Sequence, residues 1–176
     1  MRLGYPAVAK KLLLKLRQPL EKNPDYWKGI LSVAEKLKDA DLRLAAYAAA
    51  YKQQPKHLIA KNNYAAALVT LRQQPAEAIK LTMDLMVQLP KSVVVKINHS
   101  QALLLNQRTH DAEAVLKIIN PNRLTPEEAT SYYMAWFELY LNLQQFDQAR
   151  QAASRIERRF LYSCDIQWLD QACAKL

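Results

Sequence analysis

The sequence predicts an all-α protein built from about four tandem helical hairpins, with an extra helix at each end. Three observations indicate this class. Only 2 of the 176 residues are glycine, the residue that tight strand hairpins and phosphate-binding loops need. Hydrophobic residues make up 51% of the chain, which is enough for a sizeable core. Apolar positions follow helical spacing, and similar segments recur about every 35 residues.

Residues 1–23 predict a basic helix. The stretch PAVAKKLLLKL has the leucine spacing of a helix, and the sequence NP at 23–24 closes it. These 23 positions contain six basic residues and one acidic residue. No partner helix is predicted in front of it. The helix is therefore either a cap or the remnant of a preceding repeat, and both readings stay open.

Residues 62–90, NNYAAALVTLRQQPAEAIKLTMDLMVQLP, contain the clearest hairpin. A helical run ends before Pro75, because proline lacks an amide hydrogen and disfavours helix at the preceding residue. Proline is accepted in the first turn of a helix, so a second helix begins there. Its apolar stripe runs from Ala78 to Leu89. Two helices joined by so short a link are expected to pack antiparallel.

The same pattern recurs along the chain at intervals of 35 or 36 residues. THDAEAVLKIINP at 109–121 and QFDQARQAASRI at 145–156 both resemble the second helix of that hairpin. The marks of the period are Trp27, Asn62, Asn98, Tyr133 and Trp168 in the first helices, and positions 43, 78, 114 and 149 in the second helices. Each hairpin alone leaves apolar faces open, so the period predicts that the hairpins stack side by side.

Two signals mark helix starts near the C-terminus. Thr125 lies three residues before Glu128 with Pro126 between them, which predicts a capping box. DIQWLDQACAKL at 165–176 predicts a final helix with Asp165 as its N-cap. A lone helix in this place covers the last apolar face of a stacked array.

These residues resemble the tetratricopeptide repeat family over about residues 24–160. Trp27 matches the family's first-helix tryptophan, and Phe146 matches a second-helix aromatic residue. The approximate units are 24–58, 59–94, 95–129 and 130–164. The family's small second-helix residue is matched by Ala78, Ala114 and Ala149, whereas its first-helix glycine is replaced by Leu31, Ala66, Ala102 and Phe137. Arg43 departs from the small residue in the first unit. The resemblance implies a right-handed α-solenoid.

The resemblance also implies a function and a site. The inner wall of such a solenoid is made by the first helices and binds a peptide or a partner segment, so we expect an adaptor, scaffold or chaperone-like interaction module. The groove residues expected from the family geometry are Lys28, Ser32, Asn63, Ala67, Thr70, Lys96, His99, Asn106, Met134 and Glu138. Asn63 has the most suitable chemistry, because an amide side chain offers both a donor and an acceptor to a peptide backbone.

A net charge of +9 suggests a second class of function. Basic residues cluster in the N-terminal helix and in RQAASRIERR at 150–159. The candidate basic patch consists of Lys10, Lys11, Lys15, Arg155, Arg158 and Arg159. Such patches attract nucleic acid or anionic surfaces, although a solubilising role is the more common explanation of a charged helix face. We keep nucleic-acid or anionic-surface binding as the alternative to a protein ligand.

Catalysis and metal binding find no support in the sequence. No carboxylate pair, nucleophile elbow or phosphate-binding loop occurs. Cys164 and Cys173 lie nine residues apart, and the three histidines have no partner at a ligand spacing. We expect no cofactor and two reduced thiols. No apolar run is long enough to span a membrane, so we expect a cytoplasmic protein or the soluble part of a larger one. Monomer and homodimer remain equally open.

Overall fold

The computed structural model describes residues 6–176. Helices account for all of the regular structure in this range, which confirms the all-α prediction there. The α-helices are α1 (Pro6–Lys15), α2 (Arg17–Leu20), α3 (Pro24–Leu37), α4 (Ala40–Gln53), α5 (Leu58–Thr70), α6 (Pro75–Gln88), α7 (Val93–Leu105), α8 (Thr109–Lys117), α9 (Pro126–Asn142), α10 (Phe146–Ala153) and α11 (Ser163–Cys173). Two 3₁₀ turns lie at Pro121–Arg123 and Arg158–Phe160.

Several helices begin at a residue whose side chain accepts a hydrogen bond from a free amide of the first turn, or at a proline, which has no amide hydrogen to satisfy. The carboxylate of Asp39 accepts from an amide in the first turn of α4 at 3.0 Å. Thr125 and Glu128 form the predicted capping box, and Pro126 is the first residue of α9. Pro75 opens α6, as its position in the sequence predicts. These starts are therefore set by local sequence.

The turns after α3, α5, α7 and α9 share one backbone conformation. Each contains a residue in the left-handed region that is not glycine, and the next amide donates to the carbonyl five positions back at 2.8 or 2.9 Å. This bond is characteristic of the Schellman motif. The left-handed residues that precede these amides are Lys38 (φ 51°), Arg72 (53°), Gln107 (60°) and Gln144 (57°), and the α5–α6 turn contains a second one, Gln74 (48°). The four turns repeat every 34 to 37 residues and form a second record of the period.

The helices pack in chain order. α3 packs on α4, α5 on α6, α7 on α8 and α9 on α10, and each of these hairpins also packs on the next. α5 contacts α7 and α7 contacts α9, so these first helices lie beside one another. α1 packs on α3 through Ala9 and Leu13, which join the cluster around Ile30. Neighbours in sequence are thus neighbours in space.

Small residues allow the second helices to pack closely. Ala78 and Ala149 are fully buried, as the repeat pattern predicts. The expectation for Ala114 is wrong, because this residue is exposed and Ala112 takes the buried place. The match fails here because the buried position follows the start of each helix and not a constant period: Ala112 is the fourth residue of α8, as Ala78 is of α6 and Ala149 is of α10.

The C-terminal helix starts earlier than the sequence predicts. α11 begins at Ser163, and Tyr162 is its N-cap residue. Asp165, expected as the N-cap, is the third helical residue, and its carboxylate accepts from the Tyr162 amide at 3.3 Å. Leu169 and Trp168 of α11 pack into the core of α9 and α10, where the Trp168 and Phe137 rings meet edge to face at 5.6 Å.

Candidate binding cavity on the first helices

A cavity of about 460 Å³ lies against the first helices of all four hairpins. Glu35 of α3, Asn63 of α5, Gln101 of α7 and Met134 of α9 each contribute to its wall. Further lining comes from α4, from the α5–α6 turn and from the segment that precedes α11. These additional residues include Arg43, Tyr47, Arg72, Phe160, Leu161, Tyr162 and Asp165. The cavity therefore joins parts of the chain that are far apart in sequence.

Amide side chains dominate the middle of the wall. The Asn98 Nδ2 donates to Asn62 Oδ1 at 3.0 Å, linking two equivalent positions in consecutive hairpins. The Gln101 Nε2 donates to the Ser131 carbonyl at 3.4 Å and ties α7 to α9. The Asn63 side chain makes no hydrogen bond with any other residue in the range 6–176. Its donor and acceptor are free to meet those of a peptide backbone.

An ion pair at the cavity wall links the α5–α6 turn to α9. Both terminal nitrogens of Arg72 donate to the two carboxylate oxygens of Glu138, each at 2.7 Å. The Arg72 guanidinium also lies 3.8 Å from the centre of the Trp168 ring. Paired, planar contacts of this kind fix an arginine in one geometry. Arg72 thereby connects the second hairpin to the fourth hairpin and to α11.

Arg43 lines the cavity and has a hydrogen-bond donor without a partner. Its Nε is buried and has no hydrogen-bond partner, the one such side-chain atom in the described part of the chain. Its guanidinium carbon lies 4.3 Å from the centre of the Tyr162 ring and 5.6 Å from that of Tyr47. Buried polar groups are nearly always bonded, so an exception is informative. Arg43 therefore lines the cavity while one of its donors remains without a partner.

Tyr162 and Asp165 bring the C-terminal part of the chain into the cavity. The buried Tyr162 hydroxyl donates to Glu35 Oε2 at 2.7 Å, and burial raises the pKa of this phenol. Burial also raises the pKa of Asp165 to about 6, against the opposing effects of the Tyr162 amide, Arg43 and Arg72. Both groups thus sit where water is scarce and charge is costly.

Four of the ten expected groove residues line this cavity. Asn63, Thr70, Met134 and Glu138 do so. On α9, Ser131 lines the cavity beside Met134 and Glu138. The cavity thus brings together expected residues from two of the four first helices.

The other six expected residues lie elsewhere. Lys28 and Ser32 are exposed on α3, and Lys28 pairs with Asp25 at 2.8 Å. Ala67 is buried between helices. On α7 the face that carries Lys96 and His99 is turned away from the cavity lining.

Two contacts explain this orientation of α7. The His99 Nδ1 lies 3.0 Å from the Thr82 hydroxyl of α6, and burial lowers the pKa of His99. The Asn106 Nδ2 donates to the carbonyls of Pro75 and Ala102 at 2.8 and 2.7 Å. Because these groups pack on the preceding hairpin, Val94, Ile97 and Gln101 face the cavity instead.

The basic residues named in the sequence are partly neutralised. Lys10 forms an ion pair with Asp39, Arg158 with Asp170, and Arg159 with Glu157. Arg155 donates to the Tyr133 hydroxyl at 2.9 Å. Lys11 and Lys15 are exposed on α1. The six positions therefore do not carry six free charges.

Comparison with known proteins identifies no relative of this chain. Searches against protein-family models, curated proteins and solved structures found no significant match to this chain. Within residues 6–176, no helix is long and apolar enough to cross a membrane. No group of three or more candidate metal ligands occurs in the same range, and Cys164 and Cys173 are free thiols. The proposed function therefore rests on the geometry of the cavity.

Proposed function

We propose that this chain is a tetratricopeptide-like, right-handed α-solenoid that binds a segment of another polypeptide on its inner wall. Its units are the hairpins α3–α4, α5–α6, α7–α8 and α9–α10, with α1 and α11 as extra helices. Chain-order packing, the contacts among α5, α7 and α9, and the four equivalent turns support this arrangement. A stacked array of this kind gives a long inner surface suited to an extended ligand.

The observation that carries the proposal is the wall shared by all four first helices. An extended segment exposes backbone donors and acceptors along its length, and the wall offers Asn63 and the neighbouring amides to meet them. Binding of this kind needs backbone and side-chain contacts and no catalytic group. We therefore place the protein among adaptors, scaffolds or chaperone-like modules.

The test measures binding of a captured ligand to matched variants. Proteins recovered from a native lysate on the full chain are identified by mass spectrometry and retested with purified components. We expect Asn63→Ala to weaken the binding constant by about 2- to 10-fold, the range for a lost neutral hydrogen bond. The control, Lys28→Ala, alters an exposed lysine that lies outside the cavity and should bind like wild type.

An unchanged affinity in Asn63→Ala would contradict the groove proposal. The alternative, nucleic-acid or anionic-surface binding, gives a different pattern. In that case affinity falls linearly with the logarithm of salt concentration and depends on Lys11 and Lys15. The ion pairs of Lys10, Arg158 and Arg159 reduce the charge available for such binding, which is why we favour a polypeptide ligand.

A further inference from the structure

The segment that follows the last hairpin lines one side of the cavity and consists of a 3₁₀ turn at Arg158–Phe160, two extended residues and the first turn of α11. We call residues 158–165 the C-terminal strap. Leu161 and Tyr162 have extended backbone angles, with φ and ψ of −86° and 151° and of −82° and 161°. Leu161 is anchored in the core of α9 and α10, whereas Tyr162 turns toward the first hairpin. The strap therefore connects the core of α9 and α10 to the first hairpin.

The strap is held by a tyrosine site at one corner of the first hairpin. The Tyr162 hydroxyl donates to Glu35, 127 positions earlier in the chain. Two cations lie over its ring, with the Arg43 carbon at 4.3 Å and the Lys38 nitrogen at 5.3 Å from the centre. A carboxylate acceptor for the hydroxyl and cations for the aromatic face are complementary to a phenol. Phenylalanine would lose the first of these contacts.

An acidic residue accompanies the tyrosine. Asp165 lines the same cavity three positions after Tyr162, and the charges of Arg43 and Arg72 both favour its carboxylate. The Arg43 Nε nevertheless stays without a partner while the strap is in place. The strap thus leaves a hydrogen-bonding capacity that a differently placed carboxylate or carbonyl would fill.

We propose that the C-terminal strap is a built-in occupant of the inner wall, and that the polypeptide partner presents a tyrosine followed three positions later by an acidic residue, in the arrangement that Tyr162 and Asp165 have at the start of α11. The inference rests on the proposed function, because it names the ligand class of the same cavity. The partner displaces Tyr162 from Glu35, Lys38 and Arg43 and takes its place. The strap is tied to the fold at both ends, so its effective concentration is on the order of millimolar and it excludes weak ligands.

A labelled peptide tests this directly. The peptide reproduces residues 157–168 with Cys164→Ser, and its binding is measured by fluorescence anisotropy on full chains. Wild type should bind it weakly, because the strap already occupies the site. Tyr162→Ala vacates the tyrosine site and leaves Leu161 in the core, so it should bind the peptide at least tenfold more tightly. Adding Glu35→Ala to Tyr162→Ala should remove most of that gain.

Controls separate site chemistry from unfolding. Peptides in which the tyrosine is replaced by alanine or the aspartate by asparagine should bind Tyr162→Ala several-fold more weakly. Hydrogen exchange of Tyr162→Ala should accelerate within residues 160–165 and stay at the wild-type rate in α5 and α7. Lys28→Ala added to Tyr162→Ala should keep the gain.

Equal peptide affinity for wild type and Tyr162→Ala, or no binding to either, would overturn the inference. So would unchanged exchange in the strap of Tyr162→Ala, because Tyr162 would then not be its anchor. The labelled-peptide assay depends on Glu35, whereas the binding test of the proposed function depends on Asn63. A failure of the tyrosine site is therefore distinguishable from a failure of the inner wall as a whole.

Discussion

Asp165 is a carboxyl group held in surroundings that disfavour its charge. Burial raises its pKa from an ordinary 3.8 to about 6. Between these two pH values the folded chain retains a proton that the unfolded chain has already released. The free energy of unfolding therefore falls as the pH rises from about 4 to about 6, and this contribution is fully lost above pH 6. The size of the effect is at most about 3 kcal/mol.

Replacing this carboxyl group should remove that pH dependence. We expect Asp165→Asn to be more stable than wild type at pH 7 and similar to it near pH 4, as measured by urea unfolding. Asparagine keeps an acceptor for the Tyr162 amide. The control is Asp147→Asn, which changes an exposed carboxylate paired with Arg150. A stability difference between Asp165→Asn and wild type that is the same at both pH values would contradict the prediction.

The cavity residues divide into those that a sequence pattern can find and those that it cannot. Asn63, Thr70, Met134 and Glu138 are among the residues that the family resemblance implies for the groove, and they line the cavity. Arg43 and Arg72 are found by no such spacing, because one lies in the first turn of a second helix and the other in a turn. Arg43 did stand out in the sequence as a departure from a small residue. Its orphaned Nε gives that departure a physical meaning.

At the level of elements, the four left-handed turns hold the hairpins together at a steric cost. A residue with a side chain is disfavoured in this conformation by about 1 kcal/mol or more, whereas glycine is not. The chain places lysine, arginine and glutamine there. These turns are therefore sites where glycine should stabilise the fold, although a glycine also gains freedom in the unfolded chain.

We expect Gln144→Gly to raise the free energy of unfolding by up to about 1 kcal/mol, because φ at this position is 57° and the side chain is exposed. Gln148→Gly is the matched control. It makes the same substitution four residues later, on the exposed face of α10. There glycine should lower the free energy of unfolding by about 1 kcal/mol. Destabilisation by both substitutions in urea unfolding would contradict our account of the turns.

Element boundaries were predictable where a local signal exists. The capping box at Thr125 and the proline that opens α6 fix their helices, and both predictions are confirmed. Asp165 was misplaced as the N-cap of α11 because its carboxylate accepts from the Tyr162 amide from the third helical position, and Ala114 was misplaced for a separate reason. The expected place of Ala114 assumes a constant period, but the turns repeat at uneven intervals of 34 to 37 residues.

For the whole molecule, the sequence predicts the order of packing but not how the two ends of the array are joined. Repetition implies that each hairpin packs on the next, and the contacts follow that order. The link from Tyr162 to Glu35 and the link from Arg72 to Glu138 cross 127 and 66 residues. Nothing periodic marks such pairs, since each occurs once. The strap that closes the cavity could therefore be found only from the structure.

Position-dependent cross-linking tests the central claim most directly. A photoreactive amino acid is placed at Gln101, which lines the wall of the first helices, or at Lys80, which is exposed on α6 and outside the cavity. After irradiation in native lysate, we expect a cross-linked polypeptide with the probe at Gln101 and none with the probe at Lys80. Cross-linking at Lys80 but not at Gln101, or equally at both, would contradict binding on the inner wall.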